Sequence, residues 1–292
     1  MRVASLLPSA TEILFALGLG DDVVGVTHEC DYPEAARGAA HLTFSHIPDD
    51  LPPGAVDAAV HASLTDSGSL YGIHLDAWQD AAPELVITQE LCEVCAVSAP
   101  LVHRAAAELD PPPHVINLEP HTIDDVLATI VEVGEAAGAG DRARDLVGRL
   151  HERRGEILTA VAGRETPNVV CLEWTDPPFV SGHWVPEQVA LAGGRELLGR
   201  PGEPSRRSSW DEVEAALPDV VVLMPCGYDL ARAQEEALGL LGRLPASCVA
   251  VDASAYFSRP GPRLLEGAAA LAEAFHPGLR LGAPARSWRR VA

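Results

Sequence analysis

Two thiols three residues apart, Cys92 and Cys95, have the spacing in this chain that most directly suggests chemistry. A Cys-x-x-Cys pair can hold one soft metal ion from a single turn, and structural zinc or an iron–sulfur cluster usually takes four such ligands. Cys30, in His28-Glu29-Cys30-Asp31-Tyr32-Pro33, and Cys226, in Pro225-Cys226-Gly227-Tyr228-Asp229, are the candidates to complete a set. The same thiols also fit as small buried residues. Metal ligation, ligand contact, redox chemistry and core packing therefore all stay open for these four. Cys171 and Cys248 lie inside apolar strand-like runs and read as core.

Other groups with binding chemistry gather in segments of the same kind. His28 and His183 carry imidazoles that can serve as axial ligands to cobalt or iron, or simply hydrogen-bond the backbone. Trp174, Trp184, Tyr228, Tyr256 and Phe257 offer flat apolar walls for a macrocycle, with ordinary core packing as the alternative, and Tyr32 is a further candidate ligand contact. Glu173 and Asp229 either receive ligand amide or ammonium groups or cap helices. Arg259, held between Ser258 and Pro260, can fork onto a carboxylate or phosphate, or sit in a structural ion pair. No phosphate-binding glycine loop, G-x-S-x-G elbow or H-E-x-x-H helix occurs. Catalysis is therefore unsupported by motif.

These groups need positioning elements, and the sequence supplies a regular alternation of them. Short apolar strands are predicted at Val3–Leu6, Asp22–Val26, Leu85–Thr88, His114–Leu118, Asn168–Leu172, Val220–Met224 and Cys248–Val251. Helical stretches fall between them, with capping boxes at Ser9/Glu12 and Ser209/Glu212. The longest helix is predicted over Asp141–Ala162, whose apolar residues recur at spacings of three and four and which ends at Gly163 and Pro167. At 1.5 Å per residue such a helix is about 33 Å long, enough to bridge two lobes. The prediction is an α/β protein with parallel sheets in two Rossmann-like lobes, 1–120 and 167–292, joined through connecting helices over 121–166. In parallel sheets ligands sit beyond the carboxyl ends of the strands, and every loop singled out above falls at such an end.

Composition bounds the partners. A formal charge of −21, with 42 acidic residues against 21 basic ones, argues against nucleic acid or an anionic membrane surface as a partner. All the basic residues other than histidine are arginines. No apolar run reaches the length of a membrane span. The opening MRVASLLPSATEILFALGLG is broken by Pro8, Ser9, Thr11 and Glu12 where a signal peptide would be uniformly apolar. Taken as given, the chain is expected in the cytoplasm, where six cysteines are not a disulfide framework; a periplasmic or extracellular place would require a leader already removed.

The opening strand–helix unit, PPFVSG followed by VPEQVALAGG, and SSWDEVEAALPDVVVLMP together resemble the helical-backbone (class III) substrate-binding proteins of ABC importers, in particular the cobalamin-binding type. The resemblance runs from Val3 to Phe275. It implies two lobes joined by one rigid helix, a tetrapyrrole or other metal chelate such as cobalamin held between them, and delivery to an ABC permease. It also implies two docking carboxylates at helix starts, matching Asp76 and Asp211 here, a cleft arginine at Arg259 and a cleft-loop residue at Phe179. A leaderless chain and clustered cysteines depart from that pattern. They keep a second reading in view, a cytoplasmic metal protein, sensor or enzyme, in which Cys30, Cys92, Cys95 and Cys226 hold an iron–sulfur cluster or zinc.

Overall fold

The computed structural model describes residues 1–48, 51–67, 69–89, 97–244 and 247–291, with the backbone alone described over 64–67. Cys92 and Cys95 lie outside the described residues. The chain divides into two compact units, one made of Met1–Pro120 and Leu127–Gly148, the other of His121–Val126 and Arg149–Ala292.

The first unit contains β1 (Val3–Ser5), α1 (Pro8–Ala16), β2 (Val23–Val26), β3 (Ala40–His41), β4 (Thr43–Ser45), α2 (Pro53–Ser67), β5 (Tyr71–Ile73) and α3 (Leu75–Ala81). It continues with β6 (Leu85–Thr88), α4 (Ala99–Ala107) and β7 (His114–Asn117). Five strands form one sheet in the order β3-β2-β1-β6-β7, parallel throughout. The central strands β1 and β6 are buried along their whole length, as a sheet covered on both faces requires. Trp78 of α3 anchors one side, fully buried and donating its indole N–H to the Ala105 carbonyl of α4 at 3.0 Å. The expected Ser9/Glu12 capping box is absent. Helix α1 starts two residues earlier, with Leu7 at the cap and Pro8 in the first turn, because the fixed φ of proline already suits that position.

Helices α5 (Ile123–Ala136) and α6 (Gly140–Val161) follow, and the division between units passes through both. The second unit then runs β8 (Asn168–Thr175), β9 (Pro178–Val180), α7 (Val185–Leu191), β10 (Arg195–Glu196), β11 (Arg206–Arg207), α8 (Trp210–Ala215), β12 (Val220–Leu223) and α9 (Leu230–Leu240). It ends with β13 (Ser247–Val251), α10 (Ala253–Tyr256), α11 (Leu264–Phe275) and β14 (Trp288–Arg290).

Its sheet runs β11-β9-β8-β12-β13-β14, with β10 also beside β8. The parallel prediction holds for β10, β8, β12 and β13 but not for the edges. Strand β9 turns back on β8 after two residues, Asp176 and Pro177, a connection long enough only for an antiparallel hairpin. Strands β11 and β14 are antiparallel as well. At α8 the second predicted cap is real: the Ser209 hydroxyl accepts the Glu212 N–H at 3.2 Å. Glu212 does not reciprocate toward the cap but bonds Arg206 and the Ser208 hydroxyl, which hold its carboxyl down at about 2.

Candidate functional site

In the first unit the loop after β2 is tied down by hydroxyls. Cys30 is 2% exposed, and its sulfur lies 3.1 Å from the Thr11 hydroxyl and 3.3 Å from that of Thr27. This corrects the expectation of a ligand-facing thiol: Cys30 packs under α1, in the surroundings of a small core residue. His28 is partly buried, with Nδ1 2.8 Å from the Thr43 hydroxyl and its ring 5.3 Å from that of Tyr71. Tyr32 remains 47% exposed.

Beside His28 stands a hairpin that sequence reasoning missed. Strands β4 and β5 pair antiparallel, with Phe44 opposite Gly72. A Cβ on Gly72 would come within 2.2 Å of the Phe44 ring, so glycine lets the phenyl lie flat across β5. His46 and His74 flank that ring at centroid distances of 5.1 and 4.8 Å. Three-residue strands 25 residues apart in sequence carry too little periodicity to be read in advance.

The second unit gathers more of the predicted groups, at the carboxyl ends of β8, β12 and β13. Trp174 meets Tyr228 edge to face at 5.6 Å, and Arg232 lies over the Tyr228 ring at 3.9 Å. Phe179 is partly buried with Arg207 6.0 Å above its ring, and Tyr256 has Arg263 at 5.5 Å. Burial raises the Asp252 carboxyl, the Ala255 N–H that it accepts opposes the rise, Asp229 adds to it, and Arg263 and Arg259 weaken it. Asp229 and Asp252 are helix caps: Asp229 accepts the Arg232 N–H and Asp252 the Ala255 N–H. Glu173 accepts the Ser205 hydroxyl at 2.5 Å and the Gly182 N–H at 3.3 Å, so it braces the loop after β9.

Two predicted walls turn inward instead. Trp184 and Phe257 are 6% and 2% exposed, and the Trp184 indole N–H donates to the Phe257 carbonyl at 2.7 Å. A buried indole has to find an acceptor, and here that need fixes both residues as core and withdraws them from the ligand-facing set. Tyr228 is likewise 4% exposed and supports Trp174 from behind.

His183 has an unpredicted neighbour. His121 stacks on it with centroids 5.9 Å apart, and Trp184 lies 5.5 Å from its other side. Burial and then His121 push the His183 imidazole down.

Cys226 is exposed in the second unit, while Cys171 and Cys248 are buried as expected. Burial raises both buried thiols, that of Cys248 to about 11. Among the described residues no group of three or more His, Cys, Asp or Glu side chains is placed to hold a metal ion, and no helix is long and apolar enough to cross a membrane. The proposed docking residues Asp76 and Asp211 are exposed in the first turns of α3 and α8.

Similarity to known proteins agrees with this architecture. The vitamin B12-binding protein of Yersinia pestis (strain Pestoides F) is 24% identical over 282 residues, covering 93% of this chain and 85% of its own. Among solved structures, the periplasmic heme-binding protein RhuT from Roseiflexus sp. RS-1 matches with a TM-score of 0.70 at 23% identity, over 94% of this chain and 97% of that one. The periplasmic vitamin B12 binding protein BtuF of Vibrio cholerae matches with a TM-score of 0.66 at 19% identity, over 93% of this chain and 94% of that one. The family described as periplasmic binding protein matches residues 3–239. With an α/β fold of two units and a long helix shared between them, the chain belongs to the periplasmic binding protein family, in its helical-backbone class, and is a binding protein, not an enzyme.

Proposed function

We propose that this protein captures a corrinoid, a cobalamin-like metal chelate, on its strand-end loops and delivers it to an ABC importer. The carrying observation is the character of the partly exposed groups on the second unit: Phe179 and Tyr256 under guanidinium groups, and Trp174 braced by Tyr228. Flat rings cover the apolar face of a macrocycle, and arginines, Arg259 included, orient its polar or anionic rim. In the first unit His28, Tyr32 and the Phe44 hairpin offer groups of the same chemistry. The similarity to vitamin B12-binding proteins over 93% of the chain favours the same ligand class.

Haem is the second reading, favoured by the arginines, which would fork onto its two carboxylates. The RhuT relative is named for haem. Among the described residues nothing favours the Cys-ligated iron–sulfur or zinc protein: Cys30 is buried among hydroxyls, and no group of three or more metal-ligating side chains is assembled. We place the protein's work outside the cytoplasmic membrane, as its relatives' names say of them, in place of the cytoplasm.

The test is retention of ligand through gel filtration, with cobalamin and haem offered separately and followed by absorption. Cobalamin eluting with the wild type, and lost from Trp174→Ala, is the expected outcome. Haem retained with cobalamin passing through would move the assignment to the second reading.

A further inference from the structure

The paired imidazoles of His121 and His183 have features that the chelate-binding role does not call for. His183 adopts φ +50°, the left-handed conformation that glycine takes freely and other residues avoid. The backbone enforces it: the His183 N–H donates to the Glu203 carbonyl at 2.6 Å, and the His183 carbonyl accepts the Gly202 N–H at 2.9 Å. Gly182, just before it, has no room for a side chain, since a Cβ there would lie 2.3 Å from the Ser205 nitrogen. Thus a strained position beside an obligatory glycine carries an imidazole where glycine would fit best. Strain kept at one residue is a pointer to function.

A second observation comes from the other ring. Nδ1 of His121 is buried and makes no hydrogen bond among the described residues. Buried polar atoms are nearly always paired, and an exception points to an ion or a water. The His121 backbone is well anchored, its N–H donating to Asp125 at 3.0 Å, so the ring is held beside His183. Planes 29° apart and centroids 5.9 Å apart leave the two rings facing one another with no hydrogen bond between them.

We propose that His121 and His183 form a two-imidazole site for a divalent late-transition-metal cation, with water completing the coordination. An ion bound about 2.0–2.1 Å from one nitrogen of each ring spans about 4 Å at most. Binding requires the stacked rings to turn about χ2, a soft torsion in histidine, so that one lone pair of each converges on the ion. Imidazole pairs suit Cu²⁺ and Ni²⁺, and Cu²⁺ binds such a donor set most tightly of the series. The inference goes beyond the chelate reading and is tested without any corrinoid or haem present.

Purified metal-free protein is titrated with Cu²⁺, read by quenching of tryptophan fluorescence and by the nitrogen hyperfine pattern in electron paramagnetic resonance. Trp184, 5.5 Å from His183, is the local reporter. Two variants separate metal binding from folding. His183→Gly relieves the backbone, and His121→Phe keeps a ring in the stack while removing both nitrogens. Each is expected to weaken Cu²⁺ binding at least tenfold and to drop the spectrum from two coupled nitrogens toward one, with the thermal melt retained or improved. Copper affinity and spectrum unchanged in both variants, or no binding by the wild type at micromolar Cu²⁺, would overturn the proposal.

Discussion

The Glu196 carboxylate is wrapped inside the second unit by three backbone N–H groups, from Cys171 at 3.0 Å, Leu198 at 3.2 Å and Gly199 at 3.1 Å. Burial raises its pKa, and those hydrogen bonds oppose the rise without cancelling it. A carboxyl with a folded pKa above its unfolded one binds more protons in the folded state, so its contribution falls as pH rises. The effect occupies the interval opening upward from the ordinary glutamate value. Glu196→Gln should therefore flatten the pH dependence of the urea midpoint over that interval, measured against wild type. A slope equal to the wild type's would assign the dependence to another group. At this scale the sequence was a partial guide. It identified which residue types cluster at strand ends, but not which way each turns. Trp184 and Phe257 went inward because an indole N–H needed a carbonyl, and His121 went unnoticed because its partner lies 62 positions further along the chain.

Among elements, α6 was the most legible: predicted over Asp141–Ala162 and found at Gly140–Val161. Its length and lack of internal proline leave one regular solution, and its two internal glycines, Gly148 and Gly155, face open space. The apolar stripe does the packing, with Ile157 fully buried. On the polar side, Arg153 is braced by Glu266 and by the Leu281 carbonyl, each at 2.9 Å. Removing the Ile157 side chain leaves a cavity that helix packing cannot close. Ile157→Ala should cost about 2–5 kcal/mol in urea unfolding, while Leu158→Ala, on a side chain 49% exposed, should cost far less. The elements that escaped prediction were short or set by distant pairing. Helix α9 is an exception, since its cap Asp229 stood in plain view among residues weighed as ligand contacts.

For the whole molecule, the legible part was the alternation of strands and helices, which requires parallel sheets, and the resemblance that it carried. What no local pattern encodes is the antiparallel rim of the second sheet, where β9, β11 and β14 attach. The proposed function at this scale calls for a partner. If Asp76 and Asp211 are the contacts with an importer, reversing both charges, Asp76→Arg with Asp211→Arg, should abolish stimulation of the transporter's ATPase and leave ligand affinity unchanged. Full stimulation by the double variant would remove them from that role.

The six residues His121–Val126 belong to the second unit although the chain on both sides of them belongs to the first. Their partners are Glu187, which accepts the Ile123 N–H at 2.6 Å, Arg154, which pairs with Asp124 at 2.6 Å, and His183. All three are synthesised later. At about 5–20 residues per second the ribosome needs several seconds to advance from His121 to Glu187. Once Gly148 is made the first unit has all of its sequence, yet the opening turn of α5 has only its local Thr122–Asp125 cap and still lacks Glu187 and His183. The nascent chain therefore carries in its middle a helix start whose long-range contacts close only when Glu187 has been made.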